Sequence, residues 1–406
     1  MIKLAPDIAA EIKRKVGLIT PRIIEVRRDL HRHPERSKKE KRTSDLVAGY
    51  LTDLGYEVVR GANIYSVTAV LIGQKKGKTI ALRADMDALK LQEKTGLPFA
   101  SEVEEVMHAC GHDAHTAILL GAAEVLSSLR HVVPGKVKFL FQPSEEAFPG
   151  GALPMIEEGV LENPKVDAAF ALHVSSNLPT GCISVCSGPT TGGVTAVNIK
   201  VKGVGGHFGR PHEAVDPIVV AAHVIVGLQS MVTRQVNFRE QFVLTFGQIL
   251  GGTRDNLIPD EVIIRGDMGA INDKLRENLE LNIERLIKGI TESFGASYEV
   301  KFWRGYPTLE NDPKMVEIVR EIAASLVGED KVLTQKPDLG GEDFAFFTQK
   351  VPAAMWRLGA WDKGKHKEPT RHHDSQFDMD EDCIPLGVEL TANLALEYLF
   401  RNTHEG

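Results

Sequence analysis

The sequence predicts an α/β domain built on a mostly parallel sheet, interrupted by a smaller inserted α+β domain. Three observations carry this reading. The chain has 406 residues, more than one hydrophobic core usually supports when domains run to about 100–200 residues. Strand-like and helix-like stretches alternate through residues 1–187 and again through 303–406, the pattern of a parallel sheet with crossover helices. Between them, residues 188–302 read strand, helix, two strands, helix, an order that suits a ferredoxin-like split βαβ domain.

In chain order, TPRIIEVRRDLHRHPE predicts a helix with Thr20 as N-cap, Pro21 at its first position and a stop before Pro34. YEVV, IYSVTAVLI, KTIALRA, KVKFLFQ and DAAFALHV read as strands, and residues 114–130 and 151–159 as helices. TIALRA runs into Asp85 and Asp87, KVKFLFQ into Glu145 and Glu146, and DAAFAL into His173. Each apolar strand thus delivers ionisable groups to its C-terminal end, the edge at which open α/β sheets bind ligands. The insert holds the strand VTAVNIKVKG, a helix over 214–233, the strands FVLTFGQI and VIIRGDM, and a long amphipathic helix over 273–294. A helix from Pro313, the strand AAMWRLG and a last helix from Pro385 to Phe400 complete the first domain.

Composition removes several functions. With 48 basic against 55 acidic residues the formal charge is -7, so no basic field exists for nucleic acid or an anionic membrane. Charges are mixed through the first twenty residues, and a cytoplasmic protein is expected. The most apolar run, IVVAAHVIVGL, is 11 residues long, far below the ~20 of a membrane span, and is expected to be a buried helix face. Cys110, Cys182, Cys186 and Cys383 are expected to be reduced. The spacing of Cys182 and Cys186 lacks the second nearby pair of a structural zinc site.

The run MHACGHDAHTA places Cys110 and His112 either side of Gly111, so that a thiolate and an imidazole can face one side of a loop before a helix. Sulfur and nitrogen together favour zinc-like ions, although a lone Cys110 would also serve as core filler. Glu145 and Glu146 stand at the same sheet edge. A metal-dependent hydrolase needs one carboxylate to hold an ion and another, unbound, to take a proton from water. His173, otherwise an ordinary core histidine, becomes a third strand-end ligand candidate. His108, His115 and His223 have no such support and are read as structural.

Seven colinear stretches, RRDLHRHPE, RADMDAL, MHACGHDAHTA, QPSEE, GVGGHFGRPHEAVDP, NLIPD and GGEDFAFF, span residues 27–347. Together they closely resemble the metallopeptidase-amidohydrolase family of aminoacylases, hippurate hydrolases, auxin-conjugate hydrolases and thermostable carboxypeptidases. The resemblance implies two divalent ions, zinc in preference to manganese or cobalt, with Cys110 bridging and His112, Glu146, His173 and His373 completing the ligands. Only this resemblance selects His373 over the adjacent His372. It also implies Glu145 as general base, Asp87 as an acid that orients the site, His212 as a lid histidine that stabilises the oxyanion, and Asn256 as a substrate contact.

The implied reaction is hydrolysis of the amide bond of a small N-acyl or N-aroyl amino acid or short peptide, releasing an amino acid. A deacetylase or dipeptidase of the same mechanism is the alternative. A homo-oligomer through the insert is expected as well, the insert serving as lid and dimerisation domain. Lys90 stands where the subgroup usually has proline, and Arg254 and Asp255 replace small or apolar residues before Asn256. Gly269 stands where relatives carry an arginine associated with the substrate carboxylate.

Overall fold

The computed structural model describes residues 4–365 and 367–403. It forms two compact units, one of Met1–Gly188, Glu310–Lys336 and Asp343–Gly406, the other of Pro189–Leu309 with Pro337–Glu342.

The first unit is built on an eight-stranded sheet. Its centre is four mutually parallel strands in the order Pro134–Gln142, Lys75–Asp85, Ala168–Pro179, Ala353–Trp361. Val67–Ile72 joins one side antiparallel, and Ile183–Val185 the other. The register sets Asp85 opposite Gln142 and Arg357 opposite His173, and the last two strands run on past that level to Pro179 and Trp361. The helices Pro6–Arg32, His112–Ser128 and Cys383–Arg401 pack on one another beside it. HDAHTAILLGAAEVLSS is apolar nearly all round and accordingly buried.

The first helix departs from expectation. It begins at Pro6 and carries Pro21 in its interior, so Thr20 is no N-cap, and its hydroxyl instead bonds the Val16 carbonyl at 2.7 Å. An interior proline costs about 3 kcal/mol, but Ile12, Val16, Ile23 and Leu30 continue one fully buried stripe through it. At about 1.5–3 kcal/mol for each large apolar side chain buried, the stripe outweighs the proline.

In the second unit the strands run Phe242–Gly251, Glu261–Ala270, Gly193–Lys202, Ser297–Arg304 across an antiparallel sheet. The helices Pro217–Gln235 and Asp273–Ser293 are connected as a split βαβ unit requires. Its core sets Val197, Ile199 and Val201 against Val224, Leu228, Ile283 and Ile287. One of its helices differs from the sequence reading. The run IVVAAHVIVGL is only half a buried face, because Ile218, Val219 and Val226 are exposed while Val220, Ala221 and Val224 are buried. The expected insert of 188–302 compares with a compact unit that also takes in residues to Leu309 and Pro337–Glu342.

Candidate active site

The C-terminal edge of the parallel strands gathers the first unit's candidate residues. The ligand atoms of Cys110, His112 and His173 lie within 4.8 Å of one another, and so do those of Cys110, Glu146 and His373. Cys110 belongs to both groups. A third group, His112, Glu145 and Glu146, joins the first two.

Local geometry explains how neighbouring residues reach these positions. Gly111 has φ 89°, and a Cβ there would meet Val174 Cγ2 at 2.3 Å. Only glycine fits, and the turn it makes lets Cys110 and His112 face one point at the start of the helix His112–Ser128. Ser144 and His373 are non-glycine residues in the left-handed region, at φ 62° and 61°. Such conformations are unfavourable for residues with a Cβ and persist where surrounding bonds impose them. Ser144 donates its amide to Glu40 Oε1 at 2.8 Å and its hydroxyl to the same oxygen at 3.0 Å. His373 donates its amide to the Ala109 carbonyl at 2.8 Å, which fixes it beside the Cys110 loop.

Asp87 is the organiser of the carboxylate pair. Its Oδ1 accepts the Glu145 amide and its Oδ2 the Glu146 amide, both at 3.0 Å, and Oδ2 also accepts the Ser37 hydroxyl at 2.6 Å. His112 Nδ1 lies 2.9 Å from the Asp87 carbonyl and 3.3 Å from Oδ1. The imidazole thereby turns Nε2 toward the carboxylates, 4.0 Å from both Glu145 Oε2 and Glu146 Oε1. Burial works against the Asp87 charge, but His112, Ser37 and the Glu146 amide hold its carboxyl below the usual range. Burial and the Asp87 charge push Glu40 the other way, up to about 7.

The donor set fits divalent metal ions. His112 Nε2 is buried and finds no hydrogen-bond partner among the described residues, and such an orphan costs about 1–3 kcal/mol. His373 Nε2 approaches Glu146 Oε1 at 3.1 Å, and Cys110 Sγ lies 3.4 Å from His173 Nε2. Burial pushes the Cys110 thiol up to about 12. Burial and the Arg357 charge keep His173 neutral, with its Nδ1 on the Val174 carbonyl at 2.6 Å. A neutral imidazole and a thiol that ionises only with charge compensation are what a soft cation organises. His372 is turned away, its Nε2 accepting the Ser176 amide at 3.3 Å.

Residues 81–397 match peptidase family M20/M25/M40. The chain belongs to this family. It is 39% identical, over 97% of its length and 99% of the relative's, to thermostable carboxypeptidase 1 of Saccharolobus solfataricus. It is 42% identical, over 75% of its length and 83% of the relative's, to an N-acyl-L-amino acid amidohydrolase of Geobacillus stearothermophilus. Among solved structures, a dinuclear metal-binding M20 peptidase of Bacillus subtilis superposes with a TM-score of 0.82 at 33% identity, covering 95% of this chain and 99% of that one. The resemblance carried by the sequence motifs therefore holds. This member of the M20/M25/M40 family is a metal-dependent hydrolase of small molecules with a site for two metal ions.

The remaining candidates lie in the second unit. His212 sits in a short 3-10 turn, Pro211–Glu213, with 76% of its side chain exposed. Asn256 and Arg254 are exposed in the loop before Leu257–Ile258, and the Arg254 side chain has no partner among the described residues. Gly269 is a tight position, because a Cβ would come within 3.2 Å of the Leu339 carbonyl and 3.3 Å of Val243 Cγ1. Cys182 and Cys186 join no ligand cluster among the described residues. The residues that sequence reasoning did not find are Glu40 and Ser144, and Asp85 was noted at the sheet edge without a role. Only Asp85 carried a signal, its place at a strand end.

Proposed function

We propose that this enzyme hydrolyses the amide bond of N-acyl or N-aroyl amino acids or short peptides and releases the amino acid. The observation that carries this is the Asp87 clamp. One carboxylate fixes the backbone of both Glu145 and Glu146 and the ring of His112, so adjacent glutamates are held in a single arrangement with different partners. Both glutamates group with His112, but only Glu146 also groups with Cys110 and His373, which supports Glu146 as the ligand and Glu145 as the base that the family resemblance implies. Similarity to a carboxypeptidase and to an N-acyl-L-amino acid amidohydrolase supports the substrate class.

In this mechanism Cys110, His112, His173, Glu146 and His373 hold the ions, and zinc suits their sulfur and nitrogen donors best. When bound, the ions acidify water and polarise the scissile carbonyl. Glu145 removes a proton from the attacking water and returns it to the leaving nitrogen, so the acyl carbon gains a hydroxyl and the amine departs neutral. His212 donates to the carbonyl oxygen as its charge grows. Asp87 keeps both glutamates and His112 in place throughout.

The test is a panel of N-acetyl, N-benzoyl and dipeptide substrates assayed with added Zn²⁺, Mn²⁺ or Co²⁺. Release of the free amino acid from at least one N-acyl amino acid is expected, and a protein inert on the whole panel contradicts the proposal. His212→Ala is expected to lower kcat by about 10²–10³-fold, the worth of one oxyanion donor, with metal content unchanged. Loss of metal in that variant would show that His212 is misassigned.

The substrate carboxylate needs a cation other than residue 269, and Arg254 is proposed for it. A guanidinium grips a carboxylate bidentately. Arg254→Ala is expected to lose about 1.5–3 kcal/mol of kcat/KM on an N-acyl amino acid and little on its carboxamide. Equal losses on both would remove Arg254 from the site.

A homo-oligomer through the inserted unit belongs to the same proposal. Phe242–Gly251 is an edge strand whose Val243, Ile249 and Leu250 are exposed, and Ile218, Val219 and Val226 are exposed on the helix Pro217–Gln235. Apolar edges of this kind are templates for pairing with a second copy. The net charge of -7 supports a reading without nucleic-acid or membrane partners, and a cytoplasmic location belongs to the same proposal.

A further inference from the structure

His115 lies on the helix His112–Ser128, three residues after the ligand candidate His112, and is fully buried. Its ring meets that of His173 edge-on with centroids 4.6 Å apart, and that of His112 at 5.4 Å. Asp85, His112 and His115 are close enough to hold an ion of their own. The hydrogen bonds decide against that use.

The Val174 amide can only donate, and its acceptor is His115 Nε2 at 2.8 Å. That nitrogen therefore carries no proton, and its lone pair is taken. The proton must sit on Nδ1, which donates to Asp85 Oδ1 at 2.6 Å. Asp85 is anchored in turn, with Oδ2 on Arg83 at 2.6 Å and its carbonyl on the Thr116 hydroxyl at 2.8 Å. Both ring nitrogens of His115 are thus committed, and neither faces an ion.

What they hold is the backbone next to a ligand. Pairing between the strands Lys75–Asp85 and Ala168–Pro179 ends at Ala171, so on that side the neighbouring strand has run out before Val174, while on the other side Val174 still pairs with Leu358. His115 supplies the acceptor there. The Val174 carbonyl takes the His173 Nδ1 proton at 2.6 Å, which leaves His173 Nε2 to face Cys110 Sγ at 3.4 Å. Asp85, His115 and the backbone of Val174 form one chain of hydrogen bonds that ends in the orientation of His173.

We propose that His115, held by Asp85, is a positioning residue that fixes His173 for metal binding through the Val174 backbone and is not itself a ligand. This rests on the two-ion reading of the site. Three variants separate the roles. His115→Gln places an amide oxygen near the position of Nε2 and keeps an acceptor for the Val174 amide. His115→Asn reaches only the Nδ1 position, and His115→Leu supplies neither.

Zinc affinity measured by competition with a chromophoric chelator, together with the visible spectrum of the cobalt-loaded protein, provides the test. Wild type is expected to bind two ions. His115→Leu and His115→Asn are expected to weaken one of the two by about 10–100-fold, the usual effect of losing a ligand's outer partner. His115→Gln is expected to keep the wild-type affinity and cobalt spectrum. If Gln loses the ion as Leu does, or if all three bind two ions as tightly as wild type, the proposal is overturned. A wild-type protein that binds no ion overturns the two-ion reading itself, and this inference with it.

Discussion

Glu145→Gln is expected to lose turnover by about 10²–10⁴-fold, the contribution of a positioned general base, while retaining both metal ions and the fold. The substituted amide has nearly the shape of the carboxyl group, and the residue 145 amide still donates to Asp87 Oδ1. Glu146 and its companions Cys110 and His373 are untouched. What disappears is the acceptor for the proton of water. Steady-state kinetics beside metal analysis checks this, and turnover near wild type would mean that Glu145 is not the base.

Cys110→Ser is expected to empty the centre, because Cys110 alone among the candidates belongs to both the His112–His173 and the Glu146–His373 groups. Burial already pushes the thiol up to about 12, so ionisation at neutral pH depends on the ion that the thiolate binds. A serine hydroxyl ionises far less readily and is a poorer ligand for a soft cation. Ligands that bind only the folded state stabilise it by mass action, about 4 kcal/mol at a thousand times Kd. Excess zinc is therefore expected to raise the melting temperature of wild type and leave Cys110→Ser nearly unmoved. An equal rise in both proteins would return Cys110 to the role of core filler.

Much of this was legible in the sequence because it depends on neighbours along the chain. Alternating apolar runs ending in acids and histidines predict a parallel sheet with a loaded edge, and CGH and SEE are each local units. What was hidden depends on partners far away in sequence. Glu40 sits in the charge run RSKKEKR and reads as a solvated lysine neighbour, yet it bonds Ser144, more than one hundred residues on, at 2.8 Å. Pro21 reads as a helix start because the local rule is sound, and it failed because a buried stripe on both sides keeps the helix intact. His115 gave no signal of its own, since its role depends on where the strand beside Val174 stops. The choice between His372 and His373 was legible only through the family resemblance, not from the two residues themselves. It follows from a left-handed backbone at His373 tied to the Ala109 carbonyl.

The most direct measurement is zinc titration of chelator-treated enzyme, following both bound metal and release of amino acid from an N-acyl amino acid. The account predicts no turnover without metal, activity that climbs with added zinc and levels at two ions per chain, and no recovery in Cys110→Ser. Full hydrolysis by the metal-free protein, or saturation of binding without any hydrolysis, would contradict it.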